Sequence, residues 1–475
     1  NTLTSSNVNL PRKWEKQAVQ TRENARKNAL LQLRGEAALD SIANNAAPSP
    51  DFRQQIEKKG KYLRERYIQR MWLRRALKGT RIARCGRQVE NGKGIDLYWS
   101  PEHGARYAGL QSCGSVWCCP VCNAKIQAQR LVEMKQALTW ARENNLTVVF
   151  ATHTVRHNKR QSLEHVRDMA QTVWRKCRSH AAVKKLFKRY GSKGYVRAQE
   201  VTWSNANGWH VHYHAYYFLR PGMTQKEVDA FGAAYSANWI KTAKDNGYAA
   251  PLEENQRFEL LNLDNSADLE KAAKYVTQSK TSNLKSAANE LTSSQTKLGK
   301  VKYHTDGSRV LHMSFWDMLR AYTDLSFQRQ KASKTRPNSV KHECAEAYII
   351  GYQEIREFGL TLERLQRLIK TYYLGMKFAR ALVWSRGLRA RIGLDDERTD
   401  QELAQETFKD DKGLVLVLTI WNWRQRLTRP ESEHLAADLL VRCEETKGDI
   451  RSCIDFCICH GIDTCKPSDH RYWRC

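Results

Sequence analysis

The sequence has few acidic side chains for its length and contains no long apolar run. Its 475 residues include 50 Asp and Glu against 79 Lys and Arg, a formal net charge of +29. Because no stretch reaches the roughly 18 apolar residues that a membrane-spanning helix needs, we expect no membrane partner. Residues 1–30 also contain no signal-peptide core, so we expect a cytoplasmic protein.

The shortage of acidic residues leaves a large positive charge, which points to a polyanionic partner. Basic side chains bind a nucleic-acid backbone because each neutralised phosphate releases counterions. The 14 Trp, 19 Tyr and 12 Phe could stack on unpaired bases, although most are expected in cores. A solvated basic surface is the alternative explanation of the charge, and charge alone says nothing about the fold.

The length exceeds what one ordinary core accommodates, so we expect several domains. Composition divides the chain into a polar arm (1–50), a basic helix (51–84), a Gly- and Cys-rich segment (85–126), a mixed domain (127–326), a basic linker (327–342), a mainly helical C-terminal region (343–442) and a Cys-rich tail (443–475). The basic helix is either solvated or in contact with phosphates.

The mixed domain alternates strand and helix patterns. We predict strands at 146–155, 195–203 and 209–219, and helices at 126–144, 162–190, 224–245, 266–278, 312–325 and 344–390. Strands separated by a short polar turn indicate an antiparallel pairing. The predicted fold class is therefore α+β, with a largely antiparallel sheet flanked by helices.

One predicted strand, residues 209–218, carries three alternating histidines. Successive side chains of a strand point to opposite faces, so His210, His212 and His214 share one face. Neutral imidazole is the commonest metal ligand among protein side chains. A row of imidazoles on a sheet therefore suggests a metal site, although a half-buried strand with solvent-facing histidines has the same pattern.

An acidic residue is expected opposite these histidines. The turn 204–208 joins the two strands, and a hairpin symmetric about Ala206 would place Glu200 directly across from His212. A slip of one residue would turn Glu200 to the other face. Two imidazoles and one carboxylate suit Mn²⁺ or Mg²⁺ as well as iron or zinc, and the basic charge makes a phosphodiester the expected substrate.

A tyrosine downstream is a candidate nucleophile. Tyr275 lies among Lys271, Lys274 and Lys280, which would favour a phenolate and an approaching phosphate. A core tyrosine in an amphipathic helix is the local alternative.

The cysteines form two groups. Cys119 and Cys122 have the spacing of a zinc knuckle, and Cys85 and Cys113 would complete a structural four-cysteine zinc site, so 85–126 is predicted to bind zinc. A redox pair is the alternative. The tail offers a second set, for another zinc or as free thiols: Cys453, Cys457, Cys459, His460, Cys465, His470 and Cys475.

Several blocks together resemble the HUH-superfamily rolling-circle replication initiators (Rep proteins) of bacterial plasmids. The matching blocks are 113–122, 150–155, 212–214, 274–277, 384–390 and 400–403. In this resemblance Cys118 occupies a variable position. The sequence departs from the pattern at His153, where an apolar residue is usual, and at Gln278, where many relatives have lysine. Lys271 stands where some relatives carry a water-activating Glu.

The resemblance implies an antiparallel HUH endonuclease domain with a metal on the sheet. It implies that His212, His214 and Glu200 hold Mn or Mg and that Tyr275 forms a covalent bond to DNA. Lys274, Lys280 and His210 are candidate contacts to DNA phosphates. The implied activity is a nickase-ligase acting on single-stranded DNA or an extruded origin hairpin. Because no P-loop is visible, a host helicase and polymerase are expected partners. The alternatives are an HUH-type transposase and a non-catalytic zinc-finger DNA-binding regulator.

Overall fold

The computed structural model describes residues 50–90, 94–101, 103–263, 300–303, 309–332, 357–405, 413–429 and 432–465. Five expectations lie wholly or partly outside these ranges. They are residues 1–49 of the arm, the predicted helix 266–278 with Lys274 and Tyr275 and the following Lys280, residues 333–342 of the linker, residues 343–356 of the C-terminal region, and the tail beyond 465 with His470 and Cys475.

Helices account for much of the described chain. They are α1 (Pro50–Ala76), α2 (Arg81–Arg84), α3 (Pro120–Glu143), α4 (Leu163–Ser179), α5 (Ala181–Arg189), α6 (Gln225–Asp245), α7 (Phe315–Ala332), α8 (Leu362–Gly375), α9 (Leu388–Ile392), α10 (Asp400–Gln405), α11 (Ile420–Asn422), α12 (His434–Glu445) and α13 (Ile450–Cys459). A 3₁₀ turn covers Glu253–Asn255 and a π-helical stretch covers Trp423–Leu427.

The strands form two antiparallel sheets. They are β1 (Ile95–Tyr98), β2 (Arg106–Ala108), β3 (Leu146–Thr154), β4 (Gly194–Ser204), β5 (Gly208–Pro221), β6 (Arg257–Leu260), β7 (Lys300–Tyr303), β8 (Arg309–Ser314), β9 (Leu382–Trp384), β10 (Leu414–Leu418) and β11 (Thr464–Cys465). The central sheet has the order β6-β3-β5-β4-β8-β7, with β9 also paired to β4. The second sheet has the order β11-β10-β1-β2.

Both faces of the central sheet are apolar over most of its area, and each packs on helices. Val211, Tyr213 and Tyr217 of β5 lie in one core with α4, α6 and α8. Tyr216 and Phe218, which alternate with them, lie in a second core with α3. The long central strands therefore read as nearly continuous apolar runs, and only the end of the second face that carries the histidines remains polar.

The smaller sheet packs on the C-terminal helices. Leu97 of β1 and Leu416 of β10 are fully buried together with Leu440 of α12 and Cys453 of α13. Helix α1 contacts both cores, since Leu73 lies in the core of the central sheet while Tyr67 packs against the core of the smaller one. This helix therefore joins the two sheets.

The α+β class with antiparallel sheets is confirmed, whereas several predicted elements need correction. The basic helix 51–84 ends at Ala76, and its Arg70 and Arg74 are buried rather than solvated. Residues 309–314 are strand β8 because they pair with β4, so the predicted helix 312–325 begins at Phe315. Similarly, β9 interrupts the predicted helix 344–390 because it pairs with β4.

Two predicted segment boundaries also differ from the packing. Residues 327–332 of the predicted linker belong to α7, where Phe327 makes an edge-on contact with Trp72, with ring centroids 5.1 Å apart. Residues 443–465 of the tail carry the end of α12, α13 and β11, all packed with the second sheet. None of the helices that the structure describes is both long enough and apolar enough to span a bilayer.

Candidate metal centre and nucleic-acid site

Glu200, His212 and His214 converge on the polar end of the central sheet. The Nε2 atom of His212 lies 3.0 Å from Oε2 of Glu200, and Nε2 of His214 lies 2.8 Å from the same oxygen. One donor atom of each residue lies within 4.8 Å of the others, a spacing that could hold a metal ion. The three residues that the sequence grouped are therefore brought together.

The hairpin between β4 and β5 has the register that places these residues face to face. Glu200 pairs directly with His212 and Ala198 with His214. At the turn, Ser204 Oγ accepts a hydrogen bond of 3.0 Å from the amide of Asn207, and Gly208 adopts a φ of +74°, which favours glycine. The connection, shortened to residues 205–207 because Ser204 pairs with Gly208, is symmetric about Ala206, and Glu200 stays on the histidine face.

Neighbouring side chains orient the imidazole of His214. Thr152 Oγ1 lies 3.2 Å from Nδ1 of His214, and the ring of Phe150 stacks on the same imidazole with centroids 5.4 Å apart. Each contact leaves Nε2 directed at Glu200. Fixing the second ring nitrogen in this way is how proteins orient metal-binding histidines.

The electrostatics of Glu200 also fit a cation site. Burial alone would raise the pKa of its carboxyl, but the charges and hydrogen bonds of His212 and His214 hold that pKa well below its usual range. The carboxylate is therefore anionic near neutral pH. An anionic oxygen and two imidazole nitrogens form a donor set that suits a divalent metal.

His210 is on the same face but has a different partner. Its Nδ1 lies 2.7 Å from Nε2 of His157, and its ring centroid is 4.9 Å from that of His212. His157, which follows β3 in a loop, was not predicted from the sequence. Thr154 pairs with His212, and extending that register brings residues 156–157 level with His210.

His153, the departure in the first matched block, lies on the opposite face of the sheet. It is 1% exposed, and its Nε2 is 2.9 Å from the hydroxyl of Tyr217. The rings of Tyr235 and Trp239 surround it at centroid distances of 4.9 and 5.0 Å. This histidine takes the place of an apolar side chain in the core, and it is not part of the metal site.

Four cysteines that the sequence grouped also lie together. The sulfur of Cys85 is 3.7 Å from that of Cys119 and 3.6 Å from that of Cys122, and Cys113 is 3.7 Å from Cys122. A tetrahedron with metal–sulfur bonds of about 2.3 Å has edges of about 3.8 Å, so the cluster fits zinc. Cys118 is buried but is not among the four grouped thiols.

Buried arginines surround the cysteine cluster. Burial alone would lower the pKa of Arg70, but Tyr67 and the thiols of Cys85, Cys119 and Cys122 raise it above its usual value. Arg74 donates a hydrogen bond to the carbonyl of Cys85 and forms an ion pair with Glu433. The negative charge of thiolate ligands would therefore be compensated locally.

The C-terminal matched blocks attach to this same region. The hydroxyl of Ser385 accepts a hydrogen bond of 2.9 Å from the amide of Tyr195 in β4. The amide of Gln401 donates to the carbonyl of Ser112, beside the cysteine cluster, over 3.1 Å. The two blocks thus pack against the sheet and the cysteine segment.

The tail cysteines that the structure describes are placed differently. Cys453 and Cys457 are fully buried in the apolar core of the second sheet, together with Cys443, whereas Cys459 is exposed. In the described part of the chain, these thiols do not form a three-ligand group. Cys453 and Cys457 therefore serve as core residues of the second sheet.

Comparisons with known proteins match the chain to one family model and to curated relatives. A family model described as replication protein matches residues 106–427, more than half of the chain. A protein named Protein rep from Streptomyces lividans is 32% identical over 149 residues, covering 26% of this chain and 32% of that protein. A neomycin resistance protein from Streptomyces cyanogenus is 28% identical over 132 residues, covering 22% and 30%.

These alignments have a limited extent. The chain spans about a third of the length of the curated relatives it matches. No solved structure matches the chain. The family match covers the central sheet, the candidate metal centre and three of the four grouped cysteines, and on that basis the chain belongs to the replication protein family.

Proposed function

We propose that this chain is a rolling-circle replication initiator that nicks one strand of origin DNA and rejoins ends through Tyr275. The observation that carries the proposal is the convergence of Glu200, His212 and His214 in a basic member of the replication protein family. Two imidazoles and a carboxylate with open positions suit metal-assisted phosphodiester chemistry.

Glu200, His212 and His214 would hold a divalent ion, Mn or Mg, which supplies Lewis-acid polarisation of the scissile phosphate. Thr152 and Phe150 keep the His214 ring directed at this position. The phenol oxygen of Tyr275 attacks the phosphorus, a 5′-phosphotyrosine bond forms, and the 3′ oxygen leaves to become a 3′-hydroxyl. A 3′-hydroxyl attacking the phosphotyrosine reverses the step and rejoins the ends.

The course of the described chain on either side of Tyr275 supports its assignment. The amide of Leu261 bonds to the carbonyl of Val148 over 3.0 Å, and Leu263 is buried on the sheet face that carries the histidines. The chain re-enters the sheet at β7, at the edge opposite β6. The described chain therefore leaves the central sheet beyond one edge and returns at the other, with the strands that carry the metal ligands between them.

The test uses labelled single-stranded origin DNA with Mn²⁺. We expect a covalent protein–DNA adduct on denaturing gels with the wild type, and none with Tyr275→Phe, which retains DNA binding. Glu200→Gln, which keeps the side-chain volume, should reduce the adduct by about 10²-fold or more because an anionic ligand is lost. An adduct of undiminished yield from Tyr275→Phe would refute the role of that tyrosine.

The same experiment separates the alternatives. A non-catalytic zinc-finger regulator would bind DNA and form no adduct with any variant, and it leaves the cluster of Glu200 and two histidines without a purpose. A transposase of the same superfamily would form the adduct on the ends of its own element rather than at a plasmid origin. A host helicase and polymerase remain proposed partners of the initiator.

A further inference from the structure

We propose that the loop 155–161, which joins β3 to α4, binds the backbone of single-stranded DNA next to the metal ligands. This surface, called the basic loop below, also positions His210 through His157. The inference extends the proposed function by assigning the residues that hold the strand beside the scissile phosphate, and its binding test does not require cleavage.

The basic loop is held at the end of the sheet that carries the metal ligands. Strand β3 ends at Thr154, which pairs with His212. Beyond this point, His157 Nε2 contacts His210 Nδ1 at 2.7 Å. The loop backbone also passes the hairpin turn closely, since a Cβ added to Gly208 would lie 3.0 Å from the Cα of Lys159.

The loop is locally ordered by its own polar side chains. The amide of Arg160 donates to Oδ1 of Asn158 over 3.0 Å, and the amide of Asn158 donates to Oε1 of Gln161 over 2.9 Å. Ser162 then caps α4 by accepting a hydrogen bond from the amide of His165. An ordered backbone gives the basic side chains fixed points of attachment, which reduces the entropy lost on binding.

The charges of the loop all have one sign. Arg156, Lys159 and Arg160 are exposed, and the loop contains no acidic residue; the next one along the chain is Glu164, in the first turn of α4. Within the described residues, these three side chains make no ion pair and no hydrogen bond. Three unpaired cations beside recessed metal ligands form a suitable binding surface for consecutive phosphates.

His157 has a role distinct from the three charges. One nitrogen of the His157–His210 contact must donate and the other accept, so the contact fixes the orientation of the His210 ring. His210 in turn lies beside His212, with ring centroids 4.9 Å apart. His157 is therefore a positioning residue that holds the His210 ring towards the DNA strand bound beside the metal ligands.

A single strand fits this surface better than a duplex. The side chains of Glu200, His212 and His214 are 11%, 11% and 4% exposed, so a phosphate must approach recessed groups to reach them. An unpaired backbone can bend towards such groups while its neighbouring phosphates stay on the basic loop. Base-paired DNA lacks that freedom.

The test compares two triple variants with equal loss of charge. The loop variant is Arg156→Ala/Lys159→Ala/Arg160→Ala, and the matched control is Lys184→Ala/Lys185→Ala/Lys188→Ala. The control residues are exposed on α5, which packs on the other face of the sheet, where Phe187 contacts Tyr217 at a centroid distance of 5.6 Å. Affinity for a labelled 12-nucleotide single strand is measured by fluorescence anisotropy over a salt series, with no divalent metal added.

We expect the loop variant to lose about tenfold in affinity, and its slope of log K against log salt to fall by about 2, because each lost phosphate contact removes about 0.7. The control should keep the wild-type slope. Equal losses in both variants, an unchanged loop variant, or a wild type that does not bind the strand would each overturn the inference.

A second pair of variants examines His157 without changing formal charge. His157→Gln retains a side chain able to hydrogen-bond to His210, whereas His157→Phe retains ring volume alone. We expect His157→Gln to keep most of the wild-type affinity and His157→Phe to lose several-fold, with equal thermal stability. Equal affinities of the two variants for the single strand would refute the positioning role of His157.

Failure of this inference is distinguishable from failure of the proposed function. Loop-dependent binding by a wild type that forms no covalent adduct would leave the basic loop assigned and refute nicking. A normal adduct from the wild type, together with unchanged binding and salt slope in the loop variant, would refute only the role of the loop.

Discussion

At the scale of single residues, the two-residue period of a strand explains which site residues the sequence could predict. His212, His214 and Glu200 alternate with core residues, and a symmetric turn fixes their register, so local pattern sufficed. His157 was not predictable in this way because it lies beyond the strand, in a loop with no period. His153, by contrast, lies within a predicted strand but on the opposite face, where its ring packs in an aromatic core.

The burial of His153 leads to a pH-dependent prediction. Burial lowers the pKa of this imidazole to about 3 from its usual 6.5. Below pH 6.5 the unfolded chain binds a proton that the folded chain excludes, so stability falls with decreasing pH by about 1.4 kcal/mol per unit until about pH 3. His153→Phe removes this pH-dependent loss of stability while filling a similar volume.

Urea unfolding of both proteins at pH 7 and pH 5 measures the difference. We expect the wild type to lose about 2 kcal/mol more than His153→Phe over this interval, whatever other groups titrate in both. The loss of the hydrogen bond to Tyr217 lowers the stability of the variant equally at both pH values. If both proteins lost the same free energy of unfolding between pH 7 and pH 5, the prediction that folded His153 excludes a proton would be wrong.

At the scale of elements, the long central strands were predictable and the short strands were not. The strands predicted at 146–155, 195–203 and 209–219 correspond to β3, β4 and β5 within one to two residues at each end. By contrast, β8 and β9 have six and three residues, too few to establish a period. Each exists because it pairs with β4, a partner distant in sequence, and local propensity carries no information about such pairing.

One buried arginine of α3 contacts the C-terminal residues 398–400. Arg130 is 5% exposed, donates to the carbonyl of Arg398 over 2.8 Å, and lies 3.1 Å from Glu133 and 3.6 Å from Asp400. Arg130→Met keeps the apolar stem but removes the cation beside the carbonyl of Arg398 and Asp400, while Glu133 keeps its contact with Arg389. We expect a loss of about 3 kcal/mol in the free energy of unfolding, measured with urea.

Arg142→Met is the matched control for this variant. Arg142 is exposed in the last turn of the same helix, so its replacement should change stability by less than about 0.5 kcal/mol. Equal effects of the two substitutions would show that the cluster around Arg130 contributes no more than a surface charge.

At the scale of the whole molecule, the chain does not fold as the series of segments that composition suggests. Strand β10 returns from the C-terminal region to pair with β1, and β9 returns to pair with β4. The α+β class followed from local patterns, whereas these returns depend on contacts far apart in sequence. The cysteine cluster lies where the parts meet, because Arg74 of α1 binds both the carbonyl of Cys85 and Glu433 before α12.

Because the cysteine cluster lies where these parts meet, we expect a metal ion bound by the four cysteines to stabilise the second sheet as well as the cysteine segment. We expect about one zinc per chain in the wild type and much less in Cys119→Ser, by elemental analysis of protein purified without chelators. Cys118→Ser is the matched control, since Cys118 is also buried but lies outside the cluster. It should keep its zinc, although the buried hydroxyl lowers its stability.

The loss of metal should also destabilise the second sheet. Without a bound cation, the cysteines beside Arg70 and Arg74 become thiols instead of thiolates. The carbonyl of Cys85, which accepts a hydrogen bond from Arg74, is then no longer held in place, and this weakens the ion pair of Arg74 with Glu433. Hydrogen exchange of β1 and β10 should therefore quicken in Cys119→Ser and stay slow in Cys118→Ser. Faster exchange confined to 113–122 would instead mean that the two sheets are stabilised independently of the metal.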